Sequence, residues 1–362
     1  MEEPIRVLHI VGAMYPGGFE NFIMNLYENM DRDKIQFDIV VHMRKENDYV
    51  DKIKQMGGRV YELPRLTGNP IANLKQLYRI VKDNQYKIMI RHTSNALVVP
   101  QLFVAKKAGA KVICHSHNET DPKVLLHKLG KLFMDVSVNE RFACSENAGL
   151  WMFGKKTYKV VHNAISIDKF LYRAEAGNKI RKEFGLSEKK VYGHIANFIQ
   201  SKNHMFLLSI YKEISKIDES AVFFCVGEGD LRPEIEEEIK RLEMQDKVIL
   251  TGIRKDVPDF MSCFNVLVFP SKFEGLPLTL IEAQAAGLPC LISDTITKDV
   301  IVTENLVEME SIEQNPSVWA KRAISMSEKR NRECQYESIA KAGYDIKTLA
   351  KEYENLFEEL AK

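Results

Sequence analysis

The sequence has no Cys-x-x-Cys pair: its six cysteines (Cys114, Cys144, Cys225, Cys263, Cys290 and Cys334) are scattered. This excludes a zinc module and a disulfide framework and fits a reducing compartment. Most sit in apolar runs such as Val112-Ile113-Cys114, where a cysteine is a small buried hydrophobe. No apolar stretch reaches the ~18 residues that a bilayer span requires, and Met1-Glu2-Glu3-Pro4 lacks the basic start of a signal peptide. The chain is therefore expected in the cytoplasm, with a membrane surface still within its reach. A formal net charge of +1 suggests no general polyanion partner, so no nucleic acid is expected. No Gly-x-Gly-x-x-Gly with a downstream ribose acid appears, which disfavours a nicotinamide dehydrogenase. No Asp-x-Asp occupies a suitable loop, so neither a metal nor another cofactor is expected.

What is present is ordinary for a soluble enzyme, with 45% hydrophobic and 28% charged residues over 362 positions, a length that argues for two domains. Short apolar β-branched runs alternate with amphipathic segments, the pattern of parallel strands with crossover helices. Strands are expected at 6–11, 37–41, 59–63, 88–91, 111–115 and 141–144, with helices at 20–30, 48–56, 73–82, 95–108 and 146–153. A polar stretch, 172–190, reads as a linker with a short helix. The alternation then restarts, with strands at 191–196, 221–226, 248–250, 265–269 and 290–293 and helices at 203–216, 232–242 and 278–286. The tail, 340–362, reads as one helix with a stripe of Ile346, Leu349, Tyr353, Leu356 and Leu360. The expectation is an α/β protein of two doubly wound, Rossmann-like domains, 1–170 and 171–344, with the helix at 345–362 packing back on the first.

Ligands of open α/β sheets bind beyond the carboxyl ends of the strands, so strand-to-helix loops carry the candidates. Gly12-Ala13-Met14-Tyr15-Pro16-Gly17-Gly18 has two glycines at a helix start, which reads as a phosphate approach or as a simple tight turn. His115-Ser116-His117-Asn118 ends a buried strand, where histidine polarises a hydroxyl or stabilises developing charge; the bland alternative is a pair of satisfied core histidines. Lys202, just before a helix, suits a phosphate, although alone it reads as a solvated surface lysine. The most informative loop is Pro270-Ser271-Lys272-Phe273-Glu274-Gly275-Leu276-Pro277-Leu278, which opens a helix carrying Glu282. Were the whole interval helical, Glu274 and Glu282 would lie roughly 12 Å apart, comparable with the span from ribose to sugar in a nucleotide diphosphate sugar. Glu282 within Leu280-Ile281-Glu282-Ala283 is costly to bury unpaired, so it calls for ribose hydroxyls or for a nearby Lys or Arg.

These segments together resemble glycosyltransferase family 4, the retaining transferases with the GT-B architecture of two Rossmann-like domains facing across a cleft. The resemblance spans nearly the whole chain, and its most specific part is Glu274-x7-Glu282 within Pro-Ser-x-x-Glu-Gly-Leu-Pro. Val226-Gly227-Glu228-Gly229, Thr251-Gly252-Ile253-Arg254, Ala286-Gly287-Leu288-Pro289 and Val161-His162-Asn163-Ala164-Ile165 match in order. The stretch 293–300 most resembles bacterial exopolysaccharide and capsule transferases of the EpsF type.

The resemblance implies that Glu282 holds the donor ribose and Glu274 the transferred sugar. It implies that amides around Gly275, Leu276, Pro277 and Leu278 approach sugar and diphosphate, and that Lys202 neutralises the leaving diphosphate. Ile253 and Arg254 would meet the nucleobase. Gly17 and Gly18 would approach the diphosphate, His117 would contact the sugar, and His115 and Asn118 would lie on the acceptor side. One departure stands out: the family has Gly-Arg where this chain has Ala196-Asn197, so Arg254 or another base must substitute or activity falls. The reaction implied is hexosyl transfer from a UDP-sugar with retention, front-face, by positioning, electrostatics and domain closure. The acceptor implied is a lipid-linked oligosaccharide at the inner membrane leaflet, although the sequence displays no clear basic amphipathic helix. Two rivals remain: a GT-B sugar-nucleotide epimerase, and a catalytically weak or inactive nucleotide-sugar-binding partner of another transferase.

Overall fold

Strand β1 (Ile5–Ile10) buries its last four residues and β2 (Ile35–Val41) all seven, so their sheet must be covered on both faces. The computed structural model describes residues 3–15, 17–45, 48–118, 120–328 and 332–362. The remaining strands of the first sheet are β3 (Val60–Glu62), β4 (Ile88–Thr93), β5 (Lys111–Ser116), β6 (Glu140–Ala143) and β7 (Lys159–Val160), in the order β3-β2-β1-β4-β5-β6-β7. Every pairing is parallel. One face packs on a cluster around Phe22, Phe37, Tyr353 and Phe357, the other on one around Leu77, Leu102 and Met152.

A second, also wholly parallel, sheet holds β8 (Val191–Ile195), β9 (Val222–Val226), β10 (Val248–Gly252), β11 (Val266–Phe269), β12 (Cys290–Ser293) and β13 (Val307–Glu310), in the order β10-β9-β8-β11-β12-β13. The chain divides into one unit of Met1–Ala164 with Asp345–Lys362 and another of Ile165–Tyr344. The division falls before position 170 because Ile165 and Ile167 are buried in the second unit's core.

Two expectations are corrected. The polar stretch is no free linker: its helix Ala174–Glu183 lies so close to the second unit that a Cβ on Gly177 would sit 2.5 Å from the Ser262 carbonyl oxygen. The tail is two helices, Tyr336–Lys341 and Ile346–Leu360. Gly343, with φ +85°, ends the first, and the Asp345 side chain caps the second by accepting from the Thr348 N–H at 3.1 Å. Segments for which no element was expected form β13 and the helix Pro316–Ser327 in the second unit, and the helix Val124–Lys131 in the first. No helix of the described residues is long and apolar enough to cross a membrane.

Candidate functional site

Strand order reverses once in each sheet, between β1 and β4 and between β8 and β11. Such switch points open a crevice at the strands' carboxyl ends, and the candidate loops lie there.

In the second unit, the loops after β8 and β11 are knitted together. The Lys272 N–H donates to the Ser201 carbonyl at 2.7 Å, and Asn203 Nδ2 donates to the Pro270 carbonyl at 3.1 Å. Asn203 takes φ 60° to start the helix His204–Ile217. The knit brings Lys202 onto Glu274: Nζ donates to the two carboxylate oxygens at 2.6 and 2.7 Å, with side chains only 17% and 9% exposed. The motif Gly227-Glu228-Gly229 supports this loop from below, since a Cβ at Gly229 would fall 2.5 Å from the Phe198 carbonyl oxygen.

Beyond Glu274, Gly275 faces open space, and no side chain caps the helix Leu278–Ala285 that begins after Pro277. Its first N–H groups and the positive end of its dipole are thus available to an anion. Because this helix begins only at Leu278, the two glutamates do not share one continuous helix. The carboxyl of Glu282 is half-buried and has no hydrogen-bond or ion-pair partner among the described residues, and burial pushes it up to about 7. The ion pair considered for Glu282 belongs to Glu274 instead.

Ile253 stands 82% exposed beside these loops in sequence. Arg254 does not stand in for the missing arginine: its Nε and Nη2 donate to Asp256 at 2.8 and 2.7 Å, Nη1 donates to Glu183 at 3.3 Å, and its guanidinium lies 5.0 Å from the Phe260 ring. Asn197 is exposed, and its side chain is unbonded among the described residues.

In the first unit, Gly17 precedes the helix Gly18–Asn29 without a capping side chain, and Gly18 faces open space; Pro16 between them and β1 lies outside the described residues. Four histidines gather at the ends of β1, β4 and β5. His9 Nδ1 and His92 Nε2 share a hydrogen bond of 3.0 Å, and His92 Nδ1 and His117 Nε2 one of 2.8 Å. His117 Nδ1 is buried without a partner, under the Phe19 ring at 4.9 Å. Burial holds all four neutral: it takes His9 and His115 down to about 3 and His92 and His117 well below the usual range.

His115 is corrected from an acceptor-side residue to a core one. It is wholly buried between Phe22 and Phe142, because the alternation along β5 turns it into the sheet's packed face. Asn118 is exposed. Nitrogens of His92, His115 and His117 lie within 4.8 Å of one another, but both nitrogens of His92 are engaged, so His9, His92 and His117 read as a hydrogen-bonded chain, while neither nitrogen of His115 has a partner among the described residues.

Sequence reasoning missed two features. A cleft of about 430 Å³ beside His117 is lined by Arg65, Arg91 and Lys123; the signal was an arginine inside the apolar run Ile88-Met89-Ile90-Arg91. The helix Val124–Lys131 turns large apolar side chains outward, among them Leu125 at 73% exposure, so an amphipathic helix with lysines is present after all.

A family model described as Glycosyltransferase Family 4 matches residues 16–168, and one described as Glycosyl transferases group 1 matches 189–327. The chain is 32% identical to a putative glycosyltransferase, EpsF, of Bacillus subtilis, over 94% of this chain and 93% of that protein. It is 24% identical to the Escherichia coli UDP-Gal:alpha-D-GlcNAc-diphosphoundecaprenol alpha-1,3-galactosyltransferase over 85% of each chain. In three dimensions it is similar to Anabaena HepE in complex with UDP, at a TM-score of 0.81 and 15% identity over 98% of this chain and 100% of that one. Matched across both sheets in sequence and in topology, the chain belongs to glycosyltransferase family 4 and carries the GT-B fold.

Proposed function

We propose that this glycosyltransferase moves a hexosyl unit from a UDP-sugar to a hydroxyl of a lipid-linked saccharide, with retention, in exopolysaccharide or capsule synthesis at the inner membrane leaflet. The observation that carries the donor half is Glu282, a half-buried carboxyl with no partner among the described residues, behind an uncapped helix N-terminus and the Lys202–Glu274 pair. Two ribose hydroxyls supply the missing partners, the amides at Gly275–Leu278 meet the diphosphate and sugar, and Lys202 offsets charge on the leaving group. The exposed Ile253 offers a face for the nucleobase. The solved relative HepE was captured with UDP and with UDP-glucose, and the E. coli relative's name specifies a UDP-hexose and a diphospholipid-borne acceptor. No carboxylate sits at an obvious nucleophile position in the sequence, so in this reading the departing phosphate oxygen takes the acceptor's proton, and no step of it calls for a metal.

Thermal shift of the whole chain with UDP, GDP and UDP-sugars tests this, since a ligand of the native state stabilises it by RT ln(1 + [L]/Kd). A shift with a UDP-sugar that is lost in Glu282→Ala is the expected result. No shift with any nucleotide would remove the donor site, and a nucleotide-sugar shift without turnover would favour the second reading, a catalytically weak or inactive nucleotide-sugar-binding partner of another transferase. The exposed Asn197 and the engaged Arg254 are the observations on its side.

A further inference from the structure

The cleft at the carboxyl ends of β1 and β4 is lined by the cations Arg65, Arg91 and Lys123, and the one carboxylate bonded to its lining among the described residues is Asp121, held by Asn95 Nδ2 at 2.8 Å and the Lys123 N–H at 2.8 Å. Arg91 is the unusual member. It is only 9% exposed, and it donates from Nε to Gln101 Oε1 at 3.0 Å and from Nη1 to the Ile10 and His92 carbonyls at 2.9 and 2.6 Å. Among the described residues its Nη2 has no partner and the guanidinium has no counter-charge. Nearby His42 records the resulting field: burial, then Arg91, then Arg65, lowers its basicity. A buried guanidinium without an anion is strongly unfavourable, and its planar donors match phosphate oxygens.

We propose that this cleft binds the phosphate or diphosphate group of the acceptor, with Arg91 Nη2 and Arg65 as forked donors and Lys123 as a point charge. A phosphate ester could arrive on a lipid or free in solution, and the neighbouring surface selects the lipid. Lys123 runs directly into the helix Val124–Lys131, followed by the helix Met134–Ser137. This segment is anchored by its polar side: buried His127 Nδ1 accepts from the Ala96 N–H at 3.1 Å, and Gly130 lies against the Ala96 backbone with no room for a Cβ. Its outward face is apolar, with Leu129 54%, Leu132 74%, Phe133 62% and Val136 61% exposed and Lys128 among them. A helix that buries its histidine and exposes its leucines is built for an apolar surroundings bordered by anionic groups, which is a bilayer surface. The lipid chain thus lies on this face while its phosphates fill the adjoining cleft.

This assignment rests on the transferase reading above, and the experiment separates the two. With UDP in excess to fill the donor site, inorganic pyrophosphate is titrated by calorimetry into the full chain, into Arg65→Ala/Lys123→Ala and into Leu132→Ser/Phe133→Ser. The same proteins are floated with phosphatidylcholine vesicles with or without undecaprenyl diphosphate. Pyrophosphate should bind wild type and the Leu132/Phe133 variant alike, and about tenfold or more weakly to Arg65→Ala/Lys123→Ala. Vesicles holding the diphosphate lipid should capture wild type and neither double variant. Absence of pyrophosphate binding to wild type, or unchanged binding to Arg65→Ala/Lys123→Ala, overturns the phosphate site. Pyrophosphate binding without vesicle capture overturns the lipid source in favour of a free phosphate ester. The UDP thermal shift, measured on the same preparations, reports on the donor reading alone.

Discussion

Lys202 and Glu274, 72 positions apart, are joined by a forked contact in which Nζ meets both carboxylate oxygens at 2.6 and 2.7 Å. A nearly buried pair of this kind is strongly destabilised when one partner is removed, by about 3 kcal/mol or more, because the other is left uncompensated. Lys202→Met should therefore lower stability and also lower kcat/KM by about 10²-fold or more, as loss of a charge aimed at a leaving group does. Steady-state kinetics beside a denaturant titration separate the two effects. A variant that unfolds more readily yet keeps kcat/KM within about twofold would leave Lys202 a structural lysine.

On the proposed donor role, Glu282 links nucleotide binding to pH. Burial raises its carboxyl from the ordinary 4.5 to about 7, so the folded chain holds a proton that the unfolded chain has released. Stability contributed by this group is complete below about 4.5 and is lost as pH rises through about 7, a loss on the order of 3 kcal/mol. Glu282→Gln should accordingly stabilise the unliganded chain at about pH 8 and leave it unchanged at about pH 4. UDP affinity should move the other way. Ribose hydroxyls donate to the ionised carboxylate, so wild-type affinity rises from about pH 6 to about pH 8 while that of Glu282→Gln stays low and flat. Equal slopes for the two proteins would remove Glu282 from the nucleotide.

How much of this was legible in sequence follows from the range of each interaction. The two wound sheets were readable because near-continuous apolar runs such as Val222–Val226 can only be strands covered on both faces. Glu282 was readable because one carboxylate in an apolar helix violates a local rule. The Lys202–Glu274 pair was not, since it depends on the backbone bond between Lys272 and Ser201 that ties two distant loops. The tail's break was readable in hindsight from Gly343 and Asp345, a stop and a cap two residues apart, but the apolar stripe runs on past them. The segment 124–136 received no reading for a different reason. Periodicity shows that a helix has two faces and not which one meets the core, and here buried His127 reverses the usual choice.

The departure at Asn197 makes a gain-of-activity prediction. The family's arginine is absent there, Arg254 is held by Asp256 and Glu183, and the Asn197 side chain is exposed without a bond among the described residues. Asn197→Arg should fold normally, because it displaces no contact, and should raise kcat/KM by about tenfold by adding a charge toward the diphosphate. An unchanged rate with unchanged stability would mean that Lys202 and the helix N-terminus already meet the leaving group's demand.

The histidine chain assigns His92 to the positioning of His117. Both His92 nitrogens are engaged, one by His9 at 3.0 Å and one by His117 at 2.8 Å, so the chain couples the tautomer of His117 to those of His92 and His9 and fixes how its ring lies. Burial keeps every member neutral, and the facing groups, His115 and Arg91, push the same way. His92→Phe retains a ring of similar size between His9 and Phe19, whose rings stack on it at 5.3 and 6.0 Å, while removing both hydrogen bonds. It should lower kcat/KM by about tenfold and stability by about 1–3 kcal/mol, as the bonds to His9 and His117 lose a partner. The decisive measurement is a cycle with His117→Ala. If His92 acts through His117, adding His92→Phe to His117→Ala lowers kcat/KM no further, although it still lowers stability. Losses in kcat/KM that simply multiply would place the effect of His92 elsewhere in the first unit.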